Sequence, residues 1–344
     1  MKSNVQFKIL FSICMLFSSI GDNASNAAMA QDHLTEKPQT ESVETDDTPV
    51  DSVSPLITAD ELKKLIAMDD PKIKVLEPGK TSVDFSNGHP PRAQFVHWVN
   101  DMTDSDNLER YNNPKAAQFA ELMSKLGIQN DDRIIIYDRM DSRLSTRLFW
   151  TLKYYGHKQV QVLDGGFAAW KSKSFMLTRD SLKIFQSKYS VATMQEELLA
   201  EMEYVESQVE DPNTMLIDGR PPAQFSGEQP GRVFHTDKAH PRKGHIPGAV
   251  NVFWKDNFNA DGTFKTAEEL RSLYENANIK PSNNVITYCN EGLHAAPPWF
   301  VLTQLLDYKN VRLYDSSMAE WAKSKHPLKI EDAADSKVES NSDK

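Results

Sequence analysis

Val285-Ile286-Thr287-Tyr288 leads directly into Cys289-Asn290-Glu291-Gly292-Leu293-His294-Ala295-Ala296, and this stretch decides the fold. Four β-favouring residues precede a cysteine, a short loop with a glycine follows, and an apolar helical run begins near Trp299. The order predicts a strand, a loop and a helix. Backbone N–H groups at the start of such a helix face a common point, where the helix dipole adds positive potential. We therefore expect the Cys289 thiol to ionise easily and act as a nucleophile, with a buried structural cysteine as the alternative.

The composition limits what kind of protein this is. A chain of 344 residues suggests about two domains. Its net charge of −10 argues against binding to nucleic acid, because phosphate contacts need a basic face.

Residues 1–30 are typical of a signal peptide. Lys2 and Lys8 supply positive charge, residues 9–20 form a short apolar core, and Ala28-Met29-Ala30 matches a cleavage site. We expect an exported protein that is periplasmic, with secretion as the alternative, and that has no membrane attachment after cleavage. An uncleaved N-terminal anchor is the other interpretation.

Cysteine usage adds to the case for a reactive thiol. Cys14 lies inside the predicted signal peptide, so the mature chain keeps only Cys289. Exported proteins usually use cysteines in pairs that form disulfides, and an unpaired thiol therefore needs another reason to be present.

Between the two ends, the chain looks like one domain written twice. Tyr137 and Tyr288, Asp164 and Asp315, and Trp170 and Trp321 are each separated by 151 positions. Capping boxes at Thr58-x-x-Glu61 and Thr193-x-x-Glu196 are expected to open a helix in each half. The pattern predicts domains at residues 56–177 and 193–327, joined by a linker at 178–192. Residues 31–55 and 328–344 are predicted to be a disordered acidic leader and a disordered tail.

Both halves are predicted to have the same α/β architecture. Short apolar strands alternate with amphipathic helices, which indicates two mostly parallel sheets, each with helices on both faces. Such sheets bind ligands at the carboxyl ends of their strands, where Cys289 falls. Its counterpart in the first half is Asp138, which has no comparable nucleophilic chemistry. The first half is therefore expected to be an inactive structural partner, and the second to be catalytic.

The motifs in this order resemble the two-domain rhodanese-like sulfurtransferases, which include thiosulfate and 3-mercaptopyruvate sulfurtransferases. The likeness covers roughly residues 56–326 and is carried by the segments 216–220, 244–249 and 163–167 together with the cysteine loop. The resemblance implies an enzyme that moves a sulfur atom from thiosulfate or 3-mercaptopyruvate to a thiol or cyanide acceptor through a persulfide on Cys289. It implies no cofactor and no metal, and no tight pair of ligands with zinc spacing surrounds the cysteine.

The resemblance also assigns the substrate-binding loop. Its backbone N–H groups are expected to stabilise the thiolate and the persulfide, and they belong to Asn290, Glu291, Gly292, Leu293, His294 and Ala295. The side chain of His294 either donates to the substrate or caps the turn.

Two departures from the family pattern affect donor binding. Glu291 stands in the loop, where its charge would repel an anionic donor. Gln224 occupies a position where family members commonly have an arginine. Arg220 either contacts the substrate or forms an ion pair with Asp218. One hypothesis is that Arg242 or the adjacent Lys243 supplies the missing anion contact, and a solvated basic loop is the alternative.

Other functions of a cysteine loop fit less well. A cysteine-dependent phosphatase needs an arginine at the sixth position after the cysteine, where this chain has Ala295. A cysteine protease needs further groups that the sequence does not specify. A non-catalytic binding module or sulfur carrier stays open because of Glu291 and Gln224. Sulfur transfer predicts a thiol with a lowered pKa, and a binding module does not.

Overall fold

The computed structural model describes residues 53–104, 106, 112–233 and 236–331. The signal peptide predicted for residues 1–30 lies outside this part of the chain, as do residues 31–52 of the predicted leader and 332–344 of the predicted tail. Within the described ranges no helix has the length and apolar character needed to cross a bilayer.

The first half has the predicted alternation of strands and helices. Its strands are β1 (Leu56–Ile57), β2 (Ile73–Gly79), β3 (Ala93–His97), β4 (Arg133–Ile136) and β5 (Val160–Leu163). Its helices are α1 (Ala59–Ala67), α2 (Val83–Asn87), α3 (Trp98–Met102), α4 (Ala116–Lys125), α5 (Arg143–Tyr154) and α6 (Gly166–Ser172).

The second half repeats this order with a 3₁₀ turn in place of α3, and most of its helices are shorter. Its strands are β6 (Leu199–Ala200), β7 (Thr214–Asp218), β8 (Val250–Asn251), β9 (Asn284–Tyr288) and β10 (Val311–Tyr314). Its helices are α7 (Met202–Gln208), α8 (Pro222–Phe225), α9 (Ala267–Asn276), α10 (Ala296–Phe300) and α11 (Ser317–Trp321). A π-helical turn, Val301–Leu305, continues α10. Short 3₁₀ turns occupy Glu196–Leu198 and Trp254–Asn257.

The two sheets have identical topology. The spatial order is β1-β5-β4-β2-β3 in one sheet and β6-β10-β9-β7-β8 in the other, and all the strand pairs within them are parallel. Each strand of the first sheet therefore corresponds to the strand whose number is five higher in the second sheet. The predicted architecture, two tandem α/β domains that each contain a parallel sheet, is confirmed.

The hydrophobic core is shared between the halves. One cluster contains side chains from both, among them Phe149 of α5 and Phe300 of α10, whose rings meet edge to face at 4.9 Å. Two smaller clusters cover the outer face of each sheet, one around Trp170 and the other around Trp321. Helices therefore cover both faces of each sheet, and the large central cluster ties the halves together.

The predicted helix starts are partly correct. Thr58 and Glu61 form the expected capping box at α1, with Thr58 N donating to Glu61 Oε2 at 2.9 Å. The box predicted at Thr193 is wrong, because the chain forms only a 3₁₀ turn there before β6. An unpredicted capping box opens α9 at Thr266 and Glu269.

Both predicted disordered flanks extended too far into the fold. Pro55 O accepts a hydrogen bond from Val162 N at 2.9 Å, so the end of the predicted leader pairs beside the first sheet. Lys329 exchanges two backbone hydrogen bonds with His245, so the start of the predicted tail is ordered as well. In both places backbone groups find partners that the composition did not reveal.

Candidate active site

The cysteine loop rests on the turn that follows β10. Ser317 Oγ accepts hydrogen bonds from Cys289 N and Gly292 N, both at 3.1 Å, and donates to Tyr314 O at 2.6 Å. Met318 N donates to Cys289 O at 3.1 Å. Ser317 has a φ of 48°, and its counterpart in the first half is Gly166, at 54°. The serine accepts a left-handed backbone and uses its hydroxyl to fix the loop.

Three of the six loop N–H groups that were predicted to stabilise the thiolate are directed at the sulfur. His294 N donates to Cys289 Sγ at 3.2 Å, and the amides of Glu291 and Ala295 also favour the thiolate. The prediction of an easily ionised thiol is nevertheless wrong for this structure. Burial raises the pKa of the Cys289 thiol to about 11, and the Glu291 carboxylate adds to the rise. The sulfur residue is 1% exposed, and loss of hydration outweighs three amide dipoles.

The first half supports the loop from below. Gly292 has a φ of 78°, and a Cβ there would lie 2.4 Å from Arg147 Nη1 and 2.7 Å from Asp315 Oδ1. Arg147 belongs to α5 and is fully buried, and its Nη2 lies 2.5 Å from Asp315 Oδ1. Asp315 Oδ2 also accepts from Asn113 N at 2.8 Å. Glycine is needed at this position both for its conformation and for the close approach of this ion pair.

A pocket of about 210 Å³ opens above the sulfur. Its described lining residues are Gln224, Arg232, Val233, Asp237, Cys289, Asn290, Glu291, Leu293 and His294. Among these, Arg232 is the one that carries a positive charge, and its Nη1 donates to Asp237 O at 2.7 Å. The predicted loop residues thus surround one small cavity, except Gly292 and Ala295, which contribute through the backbone below it.

Gln224 is held at the pocket wall by two buried side chains. Asn290 Nδ2 donates to Gln224 Oε1 at 2.9 Å, and Asn290 Oδ1 lies 3.2 Å from His240 Nε2. Asn290 and His240 are each 6% exposed. Burial and the nearby Arg220 guanidinium lower the pKa of His240 to about 4, so its ring is neutral at physiological pH.

His294 is also neutral. Burial, followed by the charge of Arg143, lowers its pKa to about 3. Arg143 Nη1 donates to His294 Nε2 at 3.1 Å, since a guanidinium has no acceptor, so the imidazole proton is on Nδ1. The ring stacks on Trp254 with centroids 5.2 Å apart. These contacts add a third role for His294 to the two predicted ones, a bridge to the first half.

Cations of the first half approach the site from the other side. The Arg143 guanidinium lies over the Trp254 ring, 4.7 Å from its centroid. Burial and Arg143 lower the pKa of Lys80, whereas Glu291 raises it, so the three charges influence one another. These residues were missed by sequence reasoning. The signal was available for Arg143, because it stands 151 positions before His294.

Arg220 and Arg242 were both predicted to bind substrate, but neither lines the pocket. Arg220 is 1% exposed and forms an ion pair with Asp218, with Arg220 Nη2 2.6 Å from Asp218 Oδ2. It also donates to Gly244 O at 2.9 Å. The ion-pair alternative for Arg220 is therefore the one observed, and the residue supports the loop without lining the pocket.

The prediction that Arg242 contacts the donor is contradicted. Its guanidinium donates to four backbone carbonyls at the end of α11 and beyond, those of Trp321, Ala322, Ser324 and His326, at 2.8–3.0 Å. Lys243 Nζ donates to Glu228 O at 3.0 Å. Carbonyl groups at the end of a helix lack intrahelical partners and attract cations, so Arg242 hydrogen-bonds them and is directed away from the pocket.

The equivalent position in the first half shows why that half lacks a nucleophile. Asp138 Oδ1 accepts from Met140 N at 2.7 Å and Ser142 N at 3.0 Å, and Oδ2 accepts from Ser145 N at 2.7 Å. The carboxylate occupies its own amide cradle. Across the described ranges, no group of three or more His, Cys, Asp and Glu side chains is arranged to hold a metal ion.

Comparison with known proteins agrees with the geometry. A family model described as a rhodanese-like domain matches residues 58–173 and again residues 201–324. The sulfur carrier protein TtuD of Thermus thermophilus is 34% identical over 257 residues, which cover 74% of this chain and 89% of that protein. A thiosulfate sulfurtransferase of Corynebacterium glutamicum is 32% identical over 258 residues, or 74% and 83% of the two chains.

Solved structures share the fold at lower identity. YnjE superposes with a TM-score of 0.72 at 23% identity, covering 81% of this chain and 68% of that one. Wild-type EanB gives 0.71 at 18% identity, with coverages of 81% and 69%.

Proposed function

Because the chain belongs to the rhodanese-like family, in which its named relatives support the sulfurtransferase class, we propose that it transfers a sulfur atom through a persulfide on Cys289. The donor is thiosulfate or 3-mercaptopyruvate, and the acceptor is a thiol or cyanide. One observation carries the proposal. A single sulfur lies at the floor of a 210 Å³ pocket, with His294 N donating to it at 3.2 Å.

The reaction has two displacement steps. With thiosulfate, the Cys289 thiolate attacks the outer sulfur, the sulfur–sulfur bond of the donor breaks, and sulfite leaves with the electron pair. The acceptor then attacks the terminal sulfur of the persulfide, and Cys289 leaves as a thiolate. The loop amides stabilise the anion at both stages.

The raised pKa sets the condition for the first step. With a pKa of about 11, only a small fraction of the thiol is ionised near neutral pH. The rate of the first displacement therefore depends on the small fraction of Cys289 that is ionised. We expect the rate of sulfur uptake to rise with pH until the thiol is ionised.

A sulfur carrier that does not turn over small donors is the second candidate. Two observations favour it: burial raises the pKa of the Cys289 thiol to about 11, whereas sulfur transfer predicts a lowered pKa, and a relative at 34% identity is named a sulfur carrier protein. Both candidates form a persulfide, and they differ in whether small donors load it catalytically. Export to the periplasm, inferred from residues 1–30, is part of the proposal. Removal of these residues takes away Cys14, so Cys289 has no second cysteine with which to form an internal disulfide in an oxidising compartment.

Intact mass after brief exposure to thiosulfate or, separately, 3-mercaptopyruvate tests the proposal. We expect Cys289 to gain one sulfur atom, which cyanide or a thiol removes, and the Cys289→Ser variant to gain none. The absence of any gain, in protein whose thiol still reacts with an alkylating agent, would favour the carrier or binding-module reading.

A further inference from the structure

The contacts of Asn290 in the polar wall of the pocket fix the orientation of its side-chain amide. Gly231 packs so closely that a Cβ there would lie 2.5 Å from Asn290 Oδ1 and 3.1 Å from Arg220 Nη1. Asn290 Oδ1 and the buried Arg220 guanidinium thus both lie beside Gly231, and a nearby positive charge favours oxygen over nitrogen on that side. This places Asn290 Nδ2 toward Gln224.

Two hydrogen bonds of the Asn290 amide then orient the side chains of His240 and Gln224. Asn290 Oδ1 accepts from His240 Nε2, so the neutral imidazole carries its proton on that nitrogen. Asn290 Nδ2 donates to Gln224 Oε1, which engages the acceptor end of the glutamine amide. The donor end, Nε2 with its two N–H groups, is left for the pocket that Gln224 lines.

The charges around this donor are unfavourable for a doubly charged ligand. Among the described lining residues, Arg232 contributes one positive charge, and Asp237 and Glu291 contribute two negative charges. Arg232 is engaged by Asp237, with Nη1 3.3 Å from Oδ2. A dianion entering this small space would lose more hydration free energy than an uncharged or singly charged donor, and the described lining has no cation without a carboxylate partner to offset that loss.

We propose that Gln224 is a specificity-determining residue, which offers an uncharged hydrogen-bond donor so that the pocket takes the persulfide of a small organic thiol in preference to the thiosulfate dianion. The assignment rests on the proposed transfer through Cys289, and it adds an organic persulfide to the donors proposed above as the one that the pocket favours over thiosulfate.

The transfer from such a donor balances without another reactant. The Cys289 thiol gives its proton to the persulfide anion, and the resulting thiolate attacks the outer sulfur. A sulfur–sulfur bond forms to Cys289 while the bond inside the donor breaks, and the electron pair leaves on the inner sulfur. That sulfur takes the proton as a free thiol, and the negative charge ends on the Cys289 persulfide.

The test compares two donors in the full-length mature protein. Single-turnover sulfur gain on Cys289 is measured by intact mass with thiosulfate and with the persulfide of 2-mercaptoethanol. We expect the wild type to react faster with the organic persulfide. Gln224→Arg should raise the thiosulfate rate relative to the persulfide rate by about tenfold to a hundredfold, because a hydrogen bond to a charged group is stronger than a neutral one.

Two further variants separate specificity from folding. Gln224→Met keeps the side-chain volume but removes the donor, and should slow the organic persulfide by about fivefold. Gln186→Arg adds the same charge on the exposed linker and should leave the ratio of rates unchanged. In Gln224→Arg the thiosulfate rate should also fall as ionic strength rises, which a purely structural effect would not produce.

The possible failures are distinguishable. A wild type that prefers thiosulfate, with a ratio that neither Gln224 variant changes, would overturn the role of Gln224 while sulfur transfer stands. No sulfur on Cys289 from any donor, in protein with an alkylatable thiol, would overturn the proposed function and this assignment together.

Discussion

Glu291 and the loop amides act on the same sulfur in opposite directions. The amides of Glu291, His294 and Ala295 favour the thiolate, but the Glu291 side chain adds a negative charge to a site that burial has already made costly for an anion. The buried Glu291 carboxylate therefore lowers the reactivity of the thiol before a donor binds.

Glu291→Gln should therefore make Cys289 more reactive. We expect the thiol pKa to fall below about 11, because the carboxylate charge is removed while the amides stay. Each unit of decrease raises the thiolate fraction at pH 8 about tenfold. The measurement is the rate of alkylation by iodoacetamide from pH 7 to pH 11. Glu275→Gln, on the exposed face of α9, serves as the control and should give the wild-type profile. Coincident profiles for Glu291→Gln and the wild type would contradict the expectation.

The elements that hold the site are the β9–α10 loop and the β10–α11 turn. Each is a short connection between a buried strand and a helix, and they bind each other through Ser317. Gly292 is the point where the loop touches the ion pair of Arg147 and Asp315. The conformation of the loop is therefore set by a contact beneath it as well as by its own sequence.

Gly292→Ala tests this contact against a matched glycine. Gly262 has a similar φ of 86°, but a Cβ there would meet no atom within 4 Å. Gly262→Ala should lower the free energy of unfolding by about 1–2 kcal/mol through backbone strain alone. Gly292→Ala should cost more than that and should also slow sulfur uptake, because the added methyl group displaces the loop or the ion pair. Urea unfolding and single-turnover mass spectrometry measure the two effects. Equal costs at the two positions would show that the ion pair does not constrain the loop.

At the scale of the whole molecule, the two halves meet through equivalent positions. Phe149 packs on Phe300, and Arg143 donates to His294, in each case across 151 positions. A reciprocal pair of hydrogen bonds repeats the relation. Asn113 N donates to Asp315 at 2.8 Å, and Phe264 N donates to Asp164 at 2.9 Å. The halves are thus related by local two-fold symmetry, and the first half supports the loop that carries Cys289.

The buried ion pair of Arg147 and Asp315 should couple the folding of the two halves energetically. Arg147→Met leaves a buried carboxylate without its cation and should cost about 3–5 kcal/mol of unfolding free energy. The double variant Arg147→Met with Asp315→Asn should cost less than the sum of the single variants, because no unpaired charge remains. Urea unfolding of the four proteins gives the coupling.

A surface pair supplies the control for this cycle. Lys72 and Asp131 lie 2.6 Å apart with side chains 62% exposed, and the same substitutions there should show little coupling because water screens the pair. Additive costs at Arg147 and Asp315 would mean that the buried pair does not join the halves energetically.

The sequence by itself determined the duplicated architecture and the position of the cysteine loop. The spacing of 151 between Tyr137 and Tyr288, the apolar strands and the strand–loop–helix at Cys289 are local patterns, and local patterns reflect backbone conformation and burial directly. The capping box at Thr58 was readable for the same reason.

Only the tertiary structure decided the electrostatics of the site. The pKa of Cys289, the capture of Arg242 by carbonyls near α11 and the arrival of Arg143 beside His294 all depend on residues brought together from distant parts of the chain. Burial and Coulomb interactions vary with distance in space, and the sequence specifies distance only along the chain.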